Sequence, residues 1–126
     1  MDVRRATPED FPAILGLVRE YPDKLIQVHL PEPAEFFVAI EGGEIVGCCA
    51  LEVYSKRLAE IRSLAVTKQF QGKGIATKLV VACVEEAKKQ KIYELLAIAG
   101  SEEFFARFGF HTFNKEKFAL INILGK

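Results

Sequence analysis

The apolar positions of this chain change their period several times, and each change marks an element. Val3 to Ala6 is a short extended start. Thr7-Pro8-Glu9-Asp10 then announces a helix: a capping threonine, proline at the first helical position and acids in the first turn. Phe11, Ile14, Leu15 and Val18 follow at helical spacing, and Tyr21-Pro22 closes the element. From Lys24 to Pro33 the pattern fits a short helix or an irregular segment, ended by Pro31 and Pro33.

Phe36 to Glu41 and Glu44 to Tyr54 are rich in strand formers and flank Gly42-Gly43, a strong hairpin signal. Gly47, inside the second run, marks a bulge or a close backbone approach. After a turn at Ser55-Lys56-Arg57, Leu58 to Val66 is the third strand of an antiparallel meander. Ile75, Ala76, Leu79, Val80, Cys83, Val84 and Ala87 form one helical stripe, with Lys88, Lys89 and Lys91 complementing the C-terminal end of the dipole. Ile92 to Ala99 is nearly all apolar, as for a strand buried on both faces. Ser101-Glu102-Glu103 caps another short helix, and Gly109 ends it. Phe110 to Phe113 and Phe118 to Leu124 are two last strand candidates. Because the long central helix joins two strands, the order predicts an α/β or α+β fold with a mixed sheet.

Composition narrows the setting. A chain of 126 residues, half of them apolar, is expected to form one globular domain over 1–126. Lys and Arg number 17, as do Asp and Glu, so no basic field suggests nucleic acid. No apolar run approaches the ~20 residues that span a bilayer, and the first residues lack a signal-peptide pattern, so a soluble cytoplasmic protein is expected. Cys48, Cys49 and Cys83 are odd in number and have no metal spacing with His29 or His111, so no metal is expected and the cysteines read as small core residues. Cys48 and Cys49 invite an acyl-cysteine mechanism, but neither has an evident histidine partner.

Chemistry concentrates between Leu58 and Lys91, where a strand, a glycine-bearing loop and a helix follow one another. A helix start offers unpaired N–H groups and partial positive charge, and glycines let the backbone bend towards a ligand. The junction is therefore a phosphate-site candidate. The P-loop pattern fails, since Gly72-Lys73 is followed by Gly74 and position 67 is Thr67. The dinucleotide fingerprint is weak, since its third glycine falls on Thr77. The pattern Q/R-x-x-G-x-G/A is matched throughout by Gln71-Gly72-Lys73-Gly74-Ile75-Ala76.

With that loop, and with Phe104-Phe105-Ala106-Arg107-Phe108-Gly109-Phe110 as a later helix-to-strand motif, the chain resembles the GNAT superfamily of N-acetyltransferases from Val3 to about Phe113. The resemblance implies a splayed, mixed sheet of six or seven strands with helices on both faces, and acetyl-CoA as acetyl donor. It further implies that backbone N–H groups from Gln71 through Lys73 to Ala76 and Thr77 hold the pyrophosphate. The open edge at Leu64, Ala65 and Val66 would pair with the pantetheine arm and polarise the thioester carbonyl. Phe105 would wall the cofactor.

Glu60 is the candidate general base: a substrate ammonium must lose a proton before it attacks a thioester, and a carboxylate can take it directly or through water. It lies four residues before Leu64, the offset of the catalytic glutamate in the histone-acetylating branch of the family. Strand alternation puts Glu60, Arg62, Leu64 and Val66 on one face. The plainer alternative is that Glu60 and Arg62 only decorate a solvated face, as a pair. Arg62 is also suited to a substrate carboxylate. Many family members carry a tyrosine as acid for the departing thiolate, where this chain has Phe105; Tyr54 and Ser101 are the candidate stand-ins.

The run Ala59-Glu60-Ile61-Arg62-Ser63-Leu64-Ala65-Val66 is most similar to the acetyltransferase domain of N-acetylglutamate synthases, without the amino-acid-kinase-like domain of the longer ones. A small carboxylate-bearing amine is the acceptor this implies, and a protein or peptide amine the runner-up. A non-catalytic acyl-CoA-binding module on the same scaffold and a nucleotide-binding protein are the rival classes. A monomer or a homodimer is expected.

Overall fold

A computed structural model describes residues 1–112, 122 and 124. Its sheet runs β1 (Asp2–Arg5), β2 (Phe36–Glu41), β3 (Glu44–Val53), β4 (Leu58–Val66) and β5 (Glu94–Ala97), in that spatial order. The first four strands are antiparallel neighbours, and β5 joins β4 in parallel after the crossover helix α2 (Ile75–Lys89). Helix α1 (Phe11–Arg19) precedes β2, and α3 (Glu102–Ala106) follows β5. No helix among the described residues is long and apolar enough to cross a membrane.

The two faces of the sheet have separate cores. Ile14, Leu17 and Val18 of α1 pack with Phe36, Val38, Cys48, Ala50 and Ala65. Ile75, Leu79, Val80, Cys83 and Ala87 of α2 pack on the other face with Ala39, Cys49, Leu51, Ala59 and Ile61. The stripes read from the sequence are the faces that are buried, and the α/β sandwich with helices on both faces follows from them. Gly42 and Gly43 both take positive φ, 58° and 82°, as a two-residue hairpin turn requires. Gly47 meets both sequence readings. It lies beside a bulge at Val46, and a Cβ on it would stand 3.0 Å from Leu79 and 3.2 Å from Ile75, so α2 approaches β3 through this gap.

Three local expectations change. The Thr7-Pro8 start makes a 3-10 turn (Pro8–Asp10) before α1, with the Thr7 N–H and hydroxyl both donating to the Asp10 carboxylate. Of the two readings for the run from Lys24 to Pro33, residues 24–32 take the irregular one, which is no change. The Ile92–Ala99 run shortens to Glu94–Ala97, exposed at Glu94 and half-buried beyond it, with Tyr93 and Ile98 79% and 66% exposed; among the described residues β5 has one strand neighbour, β4, and leaves it after Ala97. Six or seven strands is an overstatement for the described residues, which contain five. Phe110 to Thr112 pair with no strand, and the candidate strand at Phe118–Leu124 lies outside the described residues apart from Asn122 and Leu124.

Candidate active site

Strand β4 carries the site because it changes character partway along. Up to Ile61 it is paired on both sides, with β3 and with β5. The ladder to β5 ends at Ile61↔Ala97, so from Arg62 to Val66 one edge faces no described strand. Across β3, Ala50 stands opposite Arg62 and Cys48 opposite Ala65, so two residues, Ser63 and Leu64, face Cys49 alone. This is a β-bulge, with Ser63 at φ 56°. It also overturns the alternation expected for this strand. Glu60 and Arg62 share the α1 face, whereas Leu64 and Val66 turn to the α2 core with Ala59 and Ile61.

The parting of β4 and β5 opens a cleft of about 800 Å³. Its floor is the freed edge, Leu64, Ala65 and Val66, and one end is the start of α2, with Gln71, Gly72, Gly74, Ile75, Ala76 and Thr77. Gly74 is the N-cap, at φ 80°, and no side chain caps the helix. Its first N–H groups therefore open into the cleft as an anion site. Gly72, at φ 78°, and Gly74 would seat a Cβ without contact, so glycine is required here by backbone angle and not by crowding. Lys73 does not line the cleft; its ammonium lies 5.0 Å from the Phe70 ring centre. Phe104 and Phe105 form the far wall in an edge-to-face pair at 5.1 Å, and Phe105 packs in the same way on Phe110.

Glu60 and Arg62 stand at the opposite end of the cleft, beside Lys24, Leu25 and Ile26. They do not pair with each other. Arg62 binds Glu52 on the adjacent strand through one guanidinium nitrogen and the His29 carbonyl, at 3.3 Å, through the other. Burial pulls that guanidinium down, and the Glu52 carboxylate more than offsets it, so the net shift is upward. Tyr54 donates its hydroxyl to Glu60. Burial, then the bond to Glu60, pushes the phenol well above its ordinary value, so Tyr54 stays protonated and holds the carboxylate as a donor. Ser101, the other stand-in, lines the cleft, and its hydroxyl oxygen caps α3 by accepting from the Phe104 N–H at 3.3 Å.

The cysteines are fully buried. Burial pushes the Cys48 thiol up to about 12, and the hydrogen bond with Cys83 followed by burial raises Cys49, so neither offers a thiolate for acyl transfer.

Two residues of the site went unnoticed in the sequence. Tyr21 lines the cleft, donates its hydroxyl to the Val66 carbonyl and accepts from the Gln71 amide. Beside it, Glu20 accepts from the Thr67 hydroxyl at 2.9 Å and from the Lys68 N–H at 3.3 Å. The partners lie 45 to 50 residues apart in the chain, and only the tyrosine-proline helix end hinted at either.

Residues 2–110 match the acetyltransferase (GNAT) family model. An amino-acid acetyltransferase of Mycobacterium tuberculosis is 38% identical over 116 residues, covering 86% of this chain and 67% of that protein. An uncharacterized N-acetyltransferase of Chlorobaculum tepidum is 39% identical over 84 residues, covering 67% of this chain; the chain spans 54% of that relative's length. Among solved structures, Rv2747 of Mycobacterium tuberculosis in complex with CoA and NLQ superposes with a TM-score of 0.80 at 34% identity, covering 86% of this chain and 70% of that one. N-acetylglutamate synthase of Neisseria gonorrhoeae, complexed with CoA and N-acetyl-glutamate, gives 0.75 at 27% identity over 85% of this chain and 27% of that one. A family match over nearly the whole length, on a sheet splayed beside an uncapped helix start, places this chain in the GNAT acetyltransferase family.

Proposed function

We propose that this protein transfers an acetyl group from acetyl-CoA directly to the primary amine of a small carboxylate-bearing molecule, an amino acid being the preferred class. The observation that carries the reading is continuity: one cleft joins the uncapped start of α2, the free edge of β4 and the Glu60 carboxylate. The pyrophosphate takes the N–H groups from Gln71 to Thr77, and the pantetheine arm adds to the edge at Leu64–Val66 as a strand would. The amine enters from the α1 face. Glu60, steadied by Tyr54, takes its proton directly or through a water. The nitrogen then attacks the thioester carbon, the tetrahedral oxyanion is held by backbone N–H groups of β4, and the C–S bond breaks as the thiolate takes up the second proton that the nitrogen sheds, leaving the amide and CoA thiol. Holding donor and acceptor in line supplies much of the rate enhancement.

The acceptor preference rests on charge. Lys24 and Arg62 bracket the acceptor end, and the free donors of the Arg62 fork suit a carboxylate. The Mycobacterium and Neisseria relatives, named for acetyl transfer to amino acids, favour the same class. A second reading, a non-catalytic acyl-CoA-binding module, draws on Phe105, which leaves the far wall without a hydroxyl for the departing thiolate. The test is CoA thiol release from acetyl-CoA against amino acids, polyamines and a lysine-bearing peptide. Turnover with a carboxylate-bearing amine supports the proposal, and tight acetyl-CoA binding with no turnover anywhere in the panel would move the reading to the second.

A further inference from the structure

The loop between β4 and α2 has little of its own to hold it. Its only internal structure is the 3-10 turn Lys68–Phe70, and beyond that Gly72 and Gly74 meet nothing a side chain would touch. Two glycines, on either side of Lys73, leave many backbone states open. An anion site made of N–H groups needs one of those states, because each donor must already point at the phosphate.

What restrains the loop comes from the end of α1. Glu20 takes the Thr67 hydroxyl on one carboxylate oxygen and the Lys68 N–H on the other. Tyr21 reaches further: its oxygen accepts from Gln71 Nε2 and its proton goes to Val66 O, while Gln71 Nε2 also lies 3.4 Å from Val66 O. One phenol thus joins the last residue of β4 to the last side chain before the glycines. Burial, helped by the Glu20 charge, raises the phenol above its ordinary value, so it keeps the proton this arrangement needs.

We infer that Tyr21, braced by Glu20, is the positioning residue of the cofactor loop, and that the Gln71 side chain serves as its strut and not as a ligand. The inference rests on the acetyl-CoA reading of the cleft. Tyr21 also begins the segment that carries Lys24, Leu25 and Ile26 along the acceptor end, so the same contact joins the donor and acceptor walls.

Calorimetric titration of CoA into the wild type, Tyr21→Phe, Gln71→Leu and the double variant tests this, with melting temperatures alongside. One lost hydrogen bond of this kind corresponds to roughly 5- to 10-fold in affinity. Each single variant should weaken CoA by about that factor, raise KM for acetyl-CoA and leave kcat within about twofold. The double variant should lose no more than the larger single loss, since both break the shared Tyr21–Gln71 bond. Glu20→Gln should lose less. CoA affinity within twofold of wild type in Tyr21→Phe, or additive losses in the double variant, would overturn the strut; if Tyr21→Phe fails to fold, unchanged affinity in Gln71→Leu does the same. A wild type that binds no CoA overturns the cofactor reading itself.

Discussion

Strand β4 holds two regions of opposite character within nine residues. Leu58 to Ile61 is sheet interior: paired on both sides, with Ala59 and Ile61 buried against α2. Arg62 to Val66 keeps its β3 partner but loses β5, and its free edge becomes the floor of the cleft. The hinge between them is Ser63, a serine in the left-handed region. The inserted residue leaves Glu60 and Arg62 on the face opposite Leu64 and Val66, just beyond the point where the second ladder ends at Ile61↔Ala97. On the proposed reading, this puts the base on one face and turns the donor edge from it, so that the amine and the thioester meet from different sides.

The comparison can be broken most severely where the free half meets the loop. Gly74→Val puts a β-branched residue at φ 80°, which costs about 1–3 kcal/mol and misdirects the first N–H groups of α2. CoA affinity, followed by calorimetry, should fall on the order of 100-fold as those donors lose their aim. On β3, opposite Val66, Gly47→Ala should cost about 1–3 kcal/mol in denaturant stability, because its Cβ meets Leu79 and Ile75 at 3.0 and 3.2 Å. The hinge itself is sharpened by a pair of variants. Ser63→Gly should stabilise by roughly 0.5–1 kcal/mol, and Ser63→Val should destabilise by about 1–2 kcal/mol with a narrowed cleft and weaker CoA binding. Equal stability of the two would argue against a positive-φ bulge.

The smallest effect lies far from the site. The Arg4 guanidinium, followed by the Thr7 N–H, holds the Asp10 carboxyl well below its ordinary value, at about 2. A depressed folded value means stability that is present above about pH 4 and lost as the pH falls towards 2. Asp10→Asn should flatten that part of the melting-temperature profile and leave the profile between pH 5 and 8 parallel to wild type.

What the sequence made legible was local. Gly42-Gly43 announced its turn, Ser101 its cap, Gly74 the start of α2 and Gly109 the end of α3, because each acts through its own backbone angle or nearest N–H group. The two helical stripes located both cores, and the loop pattern located the glycine turn before α2. What stayed hidden depends on register. Nothing in a serine marks a bulge, and Ser63 becomes one only against Cys48–Ala50, so alternation carried past it reversed two residues. Arg62 finds Glu52, and Tyr54 finds Glu60, across a ladder whose offset no single strand contains. Tyr21 needed the whole fold to meet Val66 and Gln71.

On the proposed reading, donor and acceptor groups lie on opposite sides of Ser63, so the two functions should be separable. The direct measurement is Glu60→Gln, assayed for CoA thiol release with the preferred amine and for CoA affinity by calorimetry. Turnover should fall by about 10²–10⁴-fold, with CoA affinity within twofold of wild type. Undiminished turnover, or a loss of CoA binding that matches the loss of rate, would contradict the account.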